Sequence, residues 1–330
     1  MIRGIILAGG SGKRLWPVSR TNNPKQLLKL FSDKTLIEES IDRIQPIVDS
    51  VSVSLGKNIE KKTREFLPKT NFILEPSMRD TAPAIGLCAT KFDENDILVF
   101  TPSDAYITPN EKFQSTIKKA ILVAEEKGCI VTIGIKPNRA ADCYGYLEPD
   151  DKIEGKVKSF REKPSIYVAA KYVKKGFLWN AGIFVCKVGV LLELFKKHSP
   201  AMYSLLIQIK KEGNIEEIYT KMEKISFDFA IMEKTSEVYF VPAEFYWNDV
   251  GGFEAIHQIL GQSNASINCN IVELNSKNNL AYSDSKKIIA LIDCEDLVVV
   301  DTNDAILVCK KSSAGKIKKF VEEKVSEELK

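Results

Sequence analysis

The segment Leu7-Ala8-Gly9-Gly10-Ser11-Gly12-Lys13-Arg14 puts three glycines within four residues, directly after an apolar run at 2–7. Glycine accepts positive φ and lets the backbone approach a ligand closely. Consecutive amides in such a turn can form a concavity for an anion. The spacing excludes two common phosphate loops. No glycine stands five positions before Gly12 and no Ser or Thr follows Lys13, so this is not a Walker A loop; the sixth position of G-x-G-x-x-G is Leu15. A tight structural turn would need the same glycines, but the flanks favour an anion. Between residues 1 and 32 lie six basic side chains (Arg3, Lys13, Arg14, Arg20, Lys25, Lys29) and no acidic one.

Other chemistries have less to work with. The two histidines, His198 and His257, lie in helical patterns with no recognisable partner carboxylate and read as structural. Seven scattered cysteines, odd in number and never in a C-x-x-C pair, argue against a disulfide framework or zinc site and for a reducing, cytoplasmic compartment. Chemistry must then run on carboxylates, Lys, Arg and backbone amides. Asp104, which follows an apolar strand pattern, and Asp249, in Trp247-Asn-Asp-Val-Gly-Gly252, are candidates; locally each also reads as a turn or capping aspartate. Asp80 and Thr81 open a helical pattern with Pro83 in its first turn, which locally reads as helix capping.

The elements that must hold these residues alternate. Strand patterns at 2–7, 50–55, 72–74, 97–100 and 130–135 are separated by helical ones at 36–44, 59–66, 82–91 and 113–127. Such alternation implies an α/β, Rossmann-like fold: a mostly parallel sheet with helices on both faces. Ligands in such sheets bind beyond the carboxyl ends of the strands, where the glycine loop and Asp104 fall. From 141 to 252 shorter strands (157–160, 182–186, 237–241) and long helices (191–197, 202–211) read as an insertion that extends the same sheet and takes a second substrate. A polar break follows at 261–264. The expected organisation is one domain at 1–262, with a nucleotide half to about 140, and a small β-rich unit at 263–330. That unit ends in a helix whose apolar face carries Ile317, Phe320, Val321 and Val325. With a net charge of +3 and 28% charged residues, nothing points globally to nucleic acid. No apolar run has the roughly 18 residues of a membrane span.

Gly9-Gly-Ser-Gly-Lys-Arg-Leu-Trp-Pro17 followed by Pro24-Lys-Gln-Leu27 closely resembles the N-terminal signature of mannose-1-phosphate guanylyltransferases, within the sugar-1-phosphate nucleotidyltransferases. The likeness continues in order through Leu74-Glu-Pro76, Arg79–Ala84, Pro102-Ser-Asp104, Tyr144-Gly-Tyr146, Glu162-Lys-Pro164, Trp179-Asn-Ala-Gly182, Asp228–Lys234 and Trp247–Gly251. Three positions depart from the pattern. Lys13 stands where a small or acidic residue is usual, Ala105 where His is usual, and Ala141-Asp-Cys143 where Glu-Thr-Gly is common; the last bears on sugar selectivity. Longer members carry a C-terminal isomerase domain, for which 330 residues leave no room.

The resemblance implies transfer of GMP from GTP to mannose 1-phosphate, giving GDP-mannose and pyrophosphate. It implies that Leu7, Ala8, Gly9, Gly10, Ser11, Gly12, Lys13, Arg14, Lys25, Asp80, Thr81 and Ser103 bind the nucleotide. Gly145, Glu162, Lys163 and Asn180 would take the sugar phosphate. Asp104 and Asp249 would hold Mg²⁺, and Arg14, Lys25 and Lys163 would complete the catalytic set. The three tryptophans near these motifs read as packing rather than stacking groups. The last 60 or so residues look like the family's β-helix-like appendage, which implies a homodimer. On that reading a cut at Gly261 leaves the active-site residues intact but gives a less stable, more monomeric protein. Two other readings keep the same residues: another sugar phosphate or nucleotide as substrate, or a sugar-nucleotide sensor without turnover.

Overall fold

In the computed structural model, which describes residues 1–10 and 12–329, the chain divides into two compact units. They do not follow chain order. One comprises 1–9, 40–103 and 107–247; the other comprises 10–39, 104–106 and 248–330.

The first unit is built on a mixed sheet. Strands β1 (Ile2–Leu7), β2 (Ser50–Gly56), β3 (Asn71–Glu75) and β4 (Ile97–Pro102) are parallel neighbours in the order β3-β2-β1-β4. The short β5 (Tyr106–Thr108) lies where the chain passes between units, and β6 (Ile130–Ile135) follows it. The insertion supplies β7 (Tyr146–Pro149), β8 (Val157–Arg161), β9 (Leu178–Lys187) and β10 (Val238–Pro242). Its ten-residue β9 enters the middle of the sheet, antiparallel to both β4 and β6, while β10 pairs parallel with β6 at the edge. The insertion therefore both fills the middle of the sheet with β9 and extends its edge with β10.

Helices α1 (Leu36–Ile44), α2 (Lys57–Phe66), α3 (Thr81–Ala89), α4 (Asn110–Lys127), α5 (Ile166–Lys174), α6 (Val188–His198), α7 (Pro200–Glu212) and α8 (Ile215–Tyr219) accompany these strands. α3 is apolar on nearly every face because it lies under α6 and α7, with Ile85, Leu87, Leu191, Phe195 and Leu206 in one core. Cys88 and Cys186 belong to that core and Cys129 is buried elsewhere; burial pushes each thiol up to about 12, as inert apolar side chains.

The second unit joins the glycine-loop region to the C-terminal residues. After β11 (Tyr246–Asn248) and α9 (Phe253–Leu260), the chain coils. β12 (Ala265–Ile267), β14 (Leu280–Ser283) and β16 (Leu297–Asp301) stack in parallel on one side, and β13 (Asn270–Leu274) and β15 (Ile288–Ile292) on another. Each turn of this β-helix places an apolar residue over the last: Ala265 over Leu280 over Val298, then Ile267 over Tyr282 over Val300. At one corner buried Asn279 donates to Asn264 Oδ1 and to the Cys294 carbonyl, both at 3.0 Å, and accepts from Leu297 N at 2.8 Å. β17 (Ile306–Lys310) closes the coil antiparallel to β16, and α10 (Ile317–Lys324) ends it.

Of the four residues expected on the apolar face of the last helix, Ile317 and Val321 are buried. Phe320 packs its ring against Trp16 while remaining largely exposed, and Val325 lies just past the helix end. Leu15, Trp16, Val18, Leu28 and Val250 share a single core with Ile267, Val298, Val300, Ile317 and Val321. His257 is a tie within this unit: Nε2 lies 3.1 Å from the Ser263 carbonyl and Nδ1 lies 3.3 Å from Lys311 Nζ. That agrees with its structural reading.

Candidate active site

Two groups of side chains carry the expected chemistry, one in each unit. The first surrounds a cavity of about 320 Å³ in the second unit, lined by Gly12, Lys13, Arg14, Lys25, Asp104, Asp249 and residues beside them. Its floor is a tight loop. Gly12 has φ 64°, and a Cβ there would lie 2.6 Å from Lys25 Cβ and 2.9 Å from Lys25 N, so only glycine fits. Ser11 lies outside the described residues. Lys13–Leu15 then forms a single 3₁₀ turn, as does Lys25–Leu27.

Lys25 is almost fully buried, and its ammonium has three partners: Asp104 Oδ2 at 2.8 Å, the Asp249 carbonyl at 2.6 Å and the Val250 carbonyl at 3.2 Å. All three of its N–H groups are thus directed at protein oxygens, and the lysine ties the Asp104 turn to the Asp249 turn. Asp249 stands before Val250, whose φ is 48°. A β-branched residue rarely adopts that conformation, at a cost of roughly 1–3 kcal/mol. The turn is held by a hydrogen bond from Val250 N to Asn248 Oδ1 at 2.8 Å. Lys13 lies 3.5 Å from Glu322, whereas Arg14 makes no ion pair or side-chain hydrogen bond among the described residues.

Among the described residues no cluster of three or more His, Cys, Asp or Glu could hold a metal alone. The donor set here is two carboxylates and no sulfur or imidazole. Such a set suits a hard divalent cation whose remaining positions are filled by water and phosphate oxygens.

The second group lies in the first unit, beyond the strand ends. β1 and β4 pair through Leu7 opposite Pro102, and Ser103 N donates to the Leu7 carbonyl at 3.0 Å. The sheet order reverses between these two strands, which is where an open α/β sheet takes its ligand. Leu7, Ala8, Gly9 and Ser103 leave the sheet here.

Asp80 caps α3 by accepting from Thr81 N at 2.7 Å, in a backbone conformation (φ 67°, ψ −176°) that is essentially glycine's own. The Thr81 hydroxyl accepts from Phe227 N at 2.8 Å. Lys163, φ 42°, is, with Asp80, the second non-glycine residue at positive φ among the expected site positions. Its ammonium pairs with Glu162 at 2.8 Å, and Glu162 N donates to Glu233 at 2.9 Å. A Cβ on Gly145 would come within 2.7 Å of the Glu162 carboxylate, so glycine at 145 is what admits that carboxylate.

Asn180 is buried. Its Oδ1 accepts from Thr132 Oγ1 at 2.7 Å and Gly182 N at 3.2 Å, and its Nδ2 donates to Asp228 at 3.1 Å. Only one N–H of this amide is then open to a ligand.

Nothing in the sequence singles out Asp228 as a site residue, although it opens one of the matching segments. It starts a π-helical turn, Asp228–Met232, a rare form frequent at functional sites. Burial, then the neighbouring Glu162 charge, push its carboxyl up to about 7 against the opposing pull of Lys163. Lys163 moves upward as well: burial draws its ammonium down, but the Glu162 hydrogen bond and charge outweigh this. Asp80 acts on both charges, so it belongs electrostatically with the lysine expected to hold the sugar phosphate. Beside them Tyr144 packs against Trp179 and Trp247 at centroid distances of 4.9 and 5.3 Å. The indole N–H groups of both tryptophans are buried without a protein acceptor. Trp16 differs: its N–H donates to the Leu329 carbonyl at 2.8 Å, a packing role.

Comparison with known proteins identifies the family. The family model described as Nucleotidyl transferase matches residues 3–265, and that of the MannoseP isomerase/GMP-like beta-helix domain matches 269–323. Mannose-1-phosphate guanylyltransferase 2 of Escherichia coli O157:H7 is 34% identical over 97% of this chain and 73% of its own length. The alginate biosynthesis protein AlgA of Pseudomonas aeruginosa is 32% identical over 97% and 71%. The solved structure described as mannose-1-phosphate geranyltransferase from Thermus thermophilus has a TM-score of 0.92 at 31% identity, covering 97% of this chain and 98% of that one. The chain thus spans about three-quarters of those curated relatives' length. It belongs to the nucleotidyl transferase family of enzymes, among relatives named mannose-1-phosphate guanylyltransferases.

Proposed function

We propose that the enzyme transfers GMP from GTP to α-D-mannose 1-phosphate, releasing pyrophosphate and forming GDP-mannose. A phosphate oxygen of the sugar 1-phosphate forms the new bond to the α-phosphorus, in line with the breaking bond to the β-phosphate bridge. Pyrophosphate leaves with that electron pair. The observation that carries this reading is the cavity where Arg14, Lys13 and Lys25 stand with two carboxylates behind a glycine loop. It has the charge pattern of a triphosphate site, and among the described residues that line it there is no Ser, Cys or His. Phosphoryl-type transfer needs positioning and charge neutralisation, and these residues can supply both.

The roles divide between the two groups. Arg14 and the loop amides bind the triphosphate, and Lys25 holds the Asp104 and Asp249 turns in register. Asp104 and Asp249 would hold Mg²⁺, which supplies positive charge against the phosphates. Lys163 takes the sugar phosphate. Glu162, Asp228 and the second N–H of Asn180 are donors and acceptors suited to sugar hydroxyls, with the buried, unpartnered indole N–H groups of Trp179 and Trp247 nearby. We further propose a cytoplasmic homodimer. What supports the dimer is an apolar face on the β13–β15 ladder, where Val272, Leu274, Ile288 and Ile292 are each more than half exposed. No helix among the described residues is long and apolar enough to cross a membrane.

The test is pyrophosphate release from each NTP with mannose 1-phosphate and with other sugar 1-phosphates, with and without Mg²⁺. The expected result is a strong preference for GTP and mannose 1-phosphate and loss of release on chelation. A preference for another sugar or nucleotide would overturn the substrate assignment, and binding without turnover would make this a sensor.

A further inference from the structure

The cavity of the second unit has one charged lining residue that none of the expected roles explains. Lys318 of α10 borders it together with Lys13, Arg14, Lys25, Asp104 and Asp249, although it lies at the opposite end of the chain from the loop. Its position follows from how α10 is held. Ile317 and Val321 are buried in the core that also contains Leu15 and Trp16, and Phe320 packs on the Trp16 ring with centroids 6.0 Å apart. Beyond the helix, the Leu329 carbonyl accepts from the Trp16 indole at 2.8 Å and also from Arg20.

With that seam fixed, residues at a spacing of four share a side of the helix. Lys318 and Glu322 face the glycine loop, where Glu322 lies 3.5 Å from Lys13. Lys319 and Glu323 pair with each other at 3.7 Å, and the Lys319 side chain is 79% exposed.

The four cations of the cavity differ in what they already hold. Lys25 is saturated by three protein oxygens, and Lys13 is paired with Glu322. Arg14 and Lys318 make no ion pair or side-chain hydrogen bond among the described residues. Two uncommitted cations on the rim of one cavity, beside two carboxylates, form a receptor for a polyanion carried with a divalent cation.

We propose that Lys318 binds the pyrophosphate portion of the nucleotide, so that the C-terminal helix is a working part of the active site. This rests on the reading of the cavity as the triphosphate site. It makes Lys318 a substrate-binding residue, matched to Arg14 across the chain. It also gives the β-helix unit a function besides association, since the helix can present Lys318 only while the coil behind it is folded.

The experiment compares the wild-type enzyme with Lys318→Ala, Lys318→Arg and the outward control Lys319→Ala. Two readouts are taken: calorimetric binding of pyrophosphate with Mg²⁺, and kinetics in the direction of pyrophosphate release. The expected result for Lys318→Ala is pyrophosphate affinity weakened about tenfold, a similar rise in KM for GTP, little change in KM for the sugar phosphate, and an unchanged melting temperature. Lys318→Arg restores most of the affinity, and Lys319→Ala behaves as wild type. If the wild type is active and Lys318→Ala matches it in both readouts, the proposal is overturned while the reaction stands. If the wild type makes no nucleotide sugar but Lys318→Ala still weakens pyrophosphate binding, Lys318 stands and the reaction assignment fails. A wild type that does not bind pyrophosphate, or a loss in Lys319→Ala equal to that in Lys318→Ala, overturns the assignment to Lys318.

Discussion

Asp104 and Asp249 are similar in sequence terms, each an aspartate in a turn, and the structure gives them a common neighbour in Lys25. Asp104→Asn keeps the shape of the side chain and removes its charge. Both Asp104→Asn and Asp249→Asn should lower kcat by about a thousandfold or more at saturating Mg²⁺. The melting temperature should move by only a few degrees; near-normal kcat in either variant removes that residue from the proposed metal site. Lys163→Ala should raise KM for the sugar phosphate about tenfold or more and leave KM for GTP nearly unchanged. Equal effects on both would mean that one lysine serves both substrates. Asp228 brings a pH signature. Its carboxyl titrates near 7 in the folded chain, well above its ordinary value of 3.8. The folded state therefore holds the proton more tightly, and stability is lost as pH rises from about 4 through 7. Asp228→Asn should flatten that slope and raise the melting temperature at pH 8 by roughly 2 °C or more relative to wild type. Parallel slopes by calorimetry would show that another group carries the dependence.

Among the elements, the last helix and the glycine loop alter the view of what a truncation does. On sequence grounds a cut at Gly261 leaves the site residues in place and removes an appendage. In the structure, Leu15, Trp16, Val18 and Val250 are packed against Ile267, Val298, Ile317 and Val321. A chain of residues 1–261 exposes that core beside the loop and loses Lys318. We expect it to lose nearly all pyrophosphate release while β1–β4 and their helices keep their circular dichroism. Wild-type activity in that fragment would show that the loop holds its shape without the coil. The antiparallel β9 was also hidden at this scale. Its apolar residues read as a buried strand, but direction and neighbours depend on hydrogen bonds to β4 and β6.

For the molecule as a whole, the exposed row of Val272, Leu274, Ile288 and Ile292 is the face proposed for a second copy. These residues alternate along β13 and β15, so they point to one side of that ladder. Ile288→Glu with Val272→Asp should give a monomer by light scattering, with the melting temperature reduced and the nucleotide cavity intact. A double variant that stays dimeric would move the interface elsewhere.

Several features were determined by the sequence alone, because they rest on local chemistry. The short apolar runs and helical patterns placed β1, β6 and α1 at their observed bounds, and the glycine spacing around Gly12 marked a turn that tolerates no side chain. The order of short motifs was enough to identify the family. Other features needed the folded chain. The strain at Asp80, Lys163 and Val250 is a property of backbone angles imposed by surrounding packing, and no residue preference announces it. The high pKa of Asp228 comes from burial beside Glu162, two segments 66 positions apart in the chain. Lys318 looked like one more lysine on a charged helix. Only the burial of Ile317 and Val321 beside Trp16 turned it toward the cavity of Arg14 and Lys25, because a side chain's direction is set by which face of its helix the core claims.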